Sequence, residues 1–266
     1  MFDALYIAAT GMQAQQLNVD TIANNIANAN TNGFKKGRVS FADLMLRQAT
    51  QLSPANGEAD SGLLGANALN RLGAGVGVSG LSKMFDMGDL KKTDSTFDIA
   101  VQGDGFMELQ MPDGSRAFAR GGTLVVNKDG QLATQSGYPL KPGLSIPSNA
   151  QGLVIGADGQ VHVSLSTQST PVLIGQIEMV RFSSPQGLLA QGDNLYRSTE
   201  ASGEAIGGKP GMDGMGTLAQ GFLEGSNVKM VEEMVNLMIA QRAYEASVKV
   251  VQASDEMMGM VNGLRK

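Results

Sequence analysis

Hydrophobic residues recur every seven positions at both ends of this chain and alternate with polar ones through its middle. At the front, Leu5, Met12, Val19 and Ile26 share one heptad position, with Ala8, Ile22 and Ala29 beside them. At the back, Met230, Leu237, Tyr244, Val251 and Met258 repeat the spacing, flanked by Met234, Ala240, Val248 and Val261. A heptad stripe keeps one face turned to a partner helix along its whole length. The two stripes therefore predict terminal helices that pair with each other as a coiled coil.

Asp3 caps the first helix and Gly33, after Asn30-Thr31-Asn32, stops it, leaving roughly 28 residues or about 40 Å of helix. That stretch holds six asparagines, and only Asp3 and Asp20 carry charge. Asparagine amides compete for backbone hydrogen bonds, so the helix is weak alone and takes its order from packing. The second helix starts near Ser226-Asn227, with Glu232 and Glu233 in its early turns where the helix dipole favours acids. Lys229 with Glu233 and Glu245 with Lys249 stand four apart and support it, and Arg265 and Lys266 suit its end.

Strand signals run from about Val76 to Phe182. Phe97, Ile99 and Val101 alternate with polar or small residues, as do Met107, Leu109 and Met111. Asp113-Gly114, Asp129-Gly130 and Asp158-Gly159 each separate two such runs and predict tight hairpins. Val172 to Phe182 reads as one longer strand, and Gly203 to Gly216 as a glycine-rich loop. The expected fold is α+β: paired terminal helices around a central antiparallel β-domain. The expected segments are 1–46 (helical), 47–75 (an extended linker or arm broken by Pro54 and Gly57), 76–220 (β-domain) and 221–266 (C-terminal helix).

Composition narrows the function. The 266 residues are 42% hydrophobic but only 5% aromatic, with no Trp and 35 glycines, so a turn-rich core is built from small side chains. A net charge of -5 argues against nucleic acid as a partner. The absence of Cys excludes disulfides and thiolate chemistry. No apolar run is long enough to span a membrane. An acid, Asp3, stands where a signal peptide carries Lys or Arg, so no cleaved leader is expected.

Candidate chemistry is sparse. Gly75-Val76-Gly77-Val78-Ser79-Gly80 fits the GxGxxG pattern, yet lacks the preceding buried strand and following helix that present amides to a pyrophosphate. It reads as a glycine lead into a strand. His162, the only histidine, has no convergent acids and no nucleophile elbow, and reads as a surface or edge-strand residue. The turn aspartates are explained by their turns. No catalytic residue, metal or cofactor is expected.

Three segments resemble bacterial flagellar rod and hook proteins: IANNIANANTNGFK (22–35), FDIAVQGDGFMEL (97–109) and GFLEGSNVKMVEEMVNLMIAQRAYEASVKVVQASDEMM (221–258). The chain is thus identified as similar to the flagellar basal-body rod protein family, with its opening segment most like the distal-rod members. The resemblance implies a non-enzymatic axial subunit that stacks helically into a hollow tube, its paired terminal helices inside and its β-domain outside. It implies ends that order on assembly, and export through the flagellar type III apparatus without a cleaved signal, to a rod crossing the periplasm. Implied partners are other copies, proximal rod and hook proteins, the surrounding basal-body ring proteins and the export apparatus, with no nucleic acid and no membrane span. Asn24, Asn25, Asn28, Thr31, Gly33 and Phe34 match the front signature, and Ser226, Asn227, Val228, Gln241, Arg242, Ala243 and Tyr244 match the back. With Leu5, Met12, Val19, Ile22, Ile26, Met230, Leu237, Val251 and Met258 they make up the expected assembly interface. Residues 47–72 occupy the place of an extra distal-rod segment but depart from its usual sequence, so a proximal rod or hook subunit is the alternative. A secreted β-domain binding module with oligomerising helices is a third possibility.

Overall fold

A computed structural model of the chain describes residues 2–45, 73–165 and 170–263. The arm expected at 47–75 lies, up to Leu72, outside the described residues, as do Arg265 and Lys266. Helix α1 spans Phe2–Ala27 and α2 spans Met230–Gly263. Between them run β1 (Gly37–Met45), β2 (Gly73–Lys83), β3 (Leu90–Lys92), β4 (Asp98–Gln102), β5 (Phe106–Gln110) and β6 (Arg116–Ala119). Next come β7 (Gly121–Val126), β8 (Leu132–Thr134), β9 (Ala150–Ile155), β10 (Gln160–Leu165), β11 (Val172–Gln176) and β12 (Met179–Arg181). The last strands are β13 (Leu189–Gly192), β14 (Leu195–Arg197), β15 (Ile206–Gly208), β16 (Thr217–Gln220) and β17 (Phe222–Glu224). The architecture is α+β, and every strand pair with a described register from β3 onward is antiparallel.

The chain divides into two compact units. Among the described residues, one gathers 2–24, 38–45, 73–81 and 231–263; the other holds 25–37, 82–165 and 170–230.

In the helical unit, α1 and α2 approach through small residues: a Cβ on Gly11 would stand 3.5 Å from Ser247 Oγ. Strands β1 and β2 form a two-stranded sheet. There the glycines of the GxGxxG pattern serve packing. Gly75, at φ +106°, presses against α1 beside Ile7 and Thr10, and the next amide, Val76 N–H, donates to Thr10 Oγ1 at 3.4 Å. A Cβ on Gly77 would meet Leu44 at 3.2 Å. The pattern lies within β2 itself.

In the β unit all three Asp-Gly pairs turn hairpins, joining β5 to β6, β7 to β8 and β9 to β10. Their glycines sit at φ +79°, +74° and +82°, which a side chain resists. At the first turn, Asp113 Oδ1 accepts from Ser115 N–H at 2.9 Å and Ser115 Oγ at 2.6 Å, which holds its carboxyl below the usual range. The long strand expected over 172–182 is two strands instead. Residues 172–176 pair with β10, and 179–181 cross to pair with β5 and β15.

A six-stranded sheet, β13-β14-β6-β5-β12-β15, organises the core. On its inner strands the alternation is buried on both faces. Met107, Leu109, Ala117, Ala119, Met179 and Leu195 enter one cluster with Ile99, Val101 and Leu132. Phe106, Phe118, Val180 and Tyr196 enter a second with Phe182 and Leu188 on the opposite face. Phe85 packs edge-on against Phe106 and Tyr196 at 5.3 and 4.9 Å, and Phe118 against Phe182 at 4.8 Å. Five of the chain's thirteen aromatics thus gather where edge-to-face geometry adds to burial.

A three-stranded sheet, β11-β10-β9, carries His162 on its central strand, opposite Val154 and Leu173, rather than on an edge. The histidine is half-exposed, so the surface expectation stands and the edge one does not.

Strand β4 is flanked by β16 and β7, and β3 pairs with β17. Asp98, buried in β4, accepts from Thr93 Oγ1 at 2.6 Å and Thr123 Oγ1 at 2.7 Å. Gly121 in β7 has φ +137°, and an added Cβ would stand 2.5 Å from the Ile99 carbonyl oxygen. Gly121→Ala is expected to lower the stability of the β unit by about 2–3 kcal/mol, read from the urea midpoint at unchanged slope.

Candidate assembly junction

Parts of the two sequence signatures 22–35 and 221–258, namely residues 25–35 and 221–228, fold onto each other within the β unit. Helix α1 ends at Ala27, earlier than Gly33, and residues 28–34 continue as tight turns. The asparagines cause the early stop. Asn25 is buried, and its amide reads both backbone groups of Gly37: Nδ2 donates to the carbonyl at 2.9 Å, and Oδ1 accepts from N–H at 2.8 Å. Thr31 Oγ1 donates to Asn28 Oδ1 at 3.2 Å. Gly33, at φ +73°, turns the chain and donates its N–H to the Glu224 carbonyl at 2.7 Å.

Three charged side chains meet at the centre, none of them among the site residues expected from the sequence. Lys35, wholly buried, donates from Nζ to Glu224 Oε1 at 2.6 Å and to the Asp86 carbonyl at 2.7 Å. Arg120 Nε donates to Glu224 Oε2 at 3.1 Å, and its NH2 group donates to the Gly103 carbonyl at 2.6 Å. Gly88 N–H adds a third bond to the carboxylate, at 2.9 Å. Among the described residues, no buried side-chain nitrogen or oxygen lacks a partner.

Burial lowers the Lys35 pKa below its ordinary value, and the adjacent Glu224 carboxylate works against that shift. Lys83 is lowered by burial as well. It donates to the Lys35 carbonyl at 3.0 Å and stands over the Phe34 ring at 4.4 Å.

Asn227 completes the junction. Its Oδ1 accepts from Lys36 N–H at 2.8 Å, while Nδ2 donates to the Met84 and Asp86 carbonyls at 2.8 and 3.2 Å. That use explains why α2 begins at Met230 and not beside Ser226-Asn227: the amide bridges strands instead of capping a helix. Ser226 and Val228 sit half-buried at the same turn. Asn25, Gly33, Phe34 and Asn227 are therefore brought together, while Asn24 and Thr31 are exposed.

The remaining expected interface residues lie along the helices. On α1, Ile22 is buried and Leu5, Met12, Val19 and Ile26 are half-buried. On α2 the covered stripe runs through Glu233, Leu237, Ala240, Ala243, Ser247, Val251, Ser254 and Met258. Met230, Met234, Tyr244 and Val261 are exposed, as are Gln241 and Arg242. Small and polar residues take the stripe's alternate positions because they permit close approach. Glu245 pairs with Arg242 at 2.8 Å.

Residues 5–35 match the model of the flagella basal body rod protein family, 100–163 that of the flagellar hook protein FlgE/F/G D1 domain, and 219–264 that of the flagellar basal body rod FlgEFG protein C-terminal region. A flagellar basal-body rod protein FlgG from Buchnera aphidicola subsp. Schizaphis graminum is 43% identical, covering 99% of this chain and 100% of the relative. Relatives of the same name from Borreliella burgdorferi and Caulobacter vibrioides are each 41% identical, over 100% and 98% of this chain and 100% and 99% of their own. The chain belongs to the flagellar basal-body rod protein family. It is a structural rod protein and not an enzyme. Each matched segment of this rod protein supplies one member of the charged triad: Lys35, Arg120 and Glu224 in turn.

Glu224→Gln leaves two buried cations with no counter-charge. It is expected to cost about 3–5 kcal/mol, while Lys35→Met/Arg120→Met/Glu224→Leu together cost far less; chemical denaturation of the three proteins checks the order. Burial also pushes the Tyr196 phenol up to about 12, aided by Glu224 and opposed by Arg120. Between pH ~10 and ~12 the unfolded phenol ionises first, so the unfolded state binds fewer protons and stability falls as pH rises. The fall approaches about 1.4 kcal/mol per pH unit and flattens in Tyr196→Phe, measured by urea titration across that range.

Proposed function

We propose that this chain is a structural subunit of the flagellar distal rod, polymerising helically into a hollow drive shaft between motor and hook. The observation that carries this reading is a second apolar face on α2. Val231, Met234, Val235, Met238 and Ile239 follow helical i, i+3, i+4, i+7, i+8 spacing and are 75%, 48%, 44%, 57% and 61% exposed. They lie about half a turn from the covered stripe. A helix apolar on opposite faces needs a neighbour on each.

Beyond Ile239 the same outer face becomes Arg242, Glu245, Lys249, Gln252 and Glu256, which suits water. On α1, Tyr6 and Ile7 are 59% and 40% exposed. In this reading α1 and α2 pair along their heptad stripes as a coiled coil, and the apolar third of α2 seats against helices of adjacent copies. Proximal rod and hook proteins meet the two ends of the polymer, and the ring proteins surround it. The subunit passes the flagellar type III export apparatus and works in the rod across the periplasm, its weak helices ordering on assembly.

Deleting residues 2–24 is expected to abolish tubes in electron micrographs while the β unit keeps its urea transition. Ile239→Glu is expected to raise the critical concentration for polymerisation by at least about tenfold. Tubes of ordinary length from the truncated chain would sink the proposal.

A further inference from the structure

The chain carries three Asn-Gly linkages, at 32–33, 56–57 and 262–263, and the first lies in the junction. In such linkages the glycine nitrogen can attack the preceding side-chain amide, a reaction favoured by glycine's conformational freedom. Here the peptide plane between Asn32 and Gly33 is held at both ends. The Asn32 carbonyl accepts from Asn194 Nδ2 at 2.8 Å, and Gly33 N–H donates to the Glu224 carbonyl at 2.7 Å. Asn32 itself is exposed, so water and base reach it.

We propose that Asn32 is a deamidation site gated by closure of the junction. In the open chain, base removes the Gly33 amide proton and the nitrogen bonds to Asn32 Cγ. The tetrahedral adduct expels ammonia and leaves a succinimide. One water then opens either ring carbonyl, giving aspartate or isoaspartate. The balance is one water consumed and one ammonia released, with no redox change. In the closed junction the attacking nitrogen still shares its proton with the Glu224 carbonyl, and turning it towards Cγ breaks both bonds that hold the plane.

Isoaspartate has a further consequence. It routes the backbone through an extra methylene immediately before Gly33, displacing that amide from the Glu224 carbonyl and Lys35 from the carboxylate. A chain modified while open therefore closes poorly. The gate is independent of the assembly reading, since both bonds lie within one β unit.

The test incubates the full-length chain at neutral pH, folded in buffer and unfolded in urea. Peptide mass and isoaspartyl methyltransferase labelling read the modification at Asn32. The expected rate is at least about tenfold lower in the folded chain, following the fraction of time the junction is open. Asn194→Ala, checked for a native circular dichroism spectrum, is expected to raise the folded-state rate severalfold. Chains enriched in isoaspartate at position 32 are expected to recover less native signal after removal of urea. Equal rates at Asn32 in the folded and unfolded wild-type chain overturn the proposal, whatever the variant does.

Discussion

A single carboxylate, that of Glu224, holds this structure to one arrangement. It receives an ammonium from 189 residues earlier, a guanidinium from 104 residues earlier and a backbone amide, all out of contact with water. Taking such charges from water costs several kcal/mol each, so the cluster contributes little net stability. Its value is selective. Any misplacement of the turn at Gly33, of β6's end or of β17 leaves an ion stranded, and the alternatives are raised in energy together.

The same constraint explains why amides surround the cluster. Asn25 and Asn227 act as backbone surrogates: each satisfies a donor and an acceptor on main chain outside its own element. Gln220 does this again at the edge of β9, accepting from Ile155 N–H at 3.0 Å and donating to the Leu153 carbonyl at 2.8 Å. Short polar side chains thereby join elements that no regular hydrogen-bonding pattern links.

Local features were legible in the sequence and distant pairings were not. The three Asp-Gly turns, the terminal helices and the α+β class follow from nearest neighbours and periodicity. Asparagine richness predicts a weak α1, but its early end depended on Asn25 finding Gly37. The alternation in β5 and β6 located strands, yet gave no sign that Phe106 and Phe118 would be buried opposite Met107 and Ala117. Lys35 beside Lys36, or Glu224 beside Gly225, looks like any surface charge; only the fold makes them partners. On α2 the covered stripe takes in Leu237, Val251 and Met258 from the heptad series, leaves Met230 and Tyr244 exposed, and includes Glu233, Ser247 and Ser254, because polar and small residues rarely advertise a packed stripe.

The strand order mixes the earliest and latest parts of the β unit: β3 lies beside β17, and β4 lies between β7 and β16. Loop closure over such separations must precede any reward in burial. A chain emerging from one end first therefore holds these two sheets incomplete until almost its last strand is free. Such wiring makes premature compaction difficult in a chain delivered from one end, and the late residues act as the release for folding.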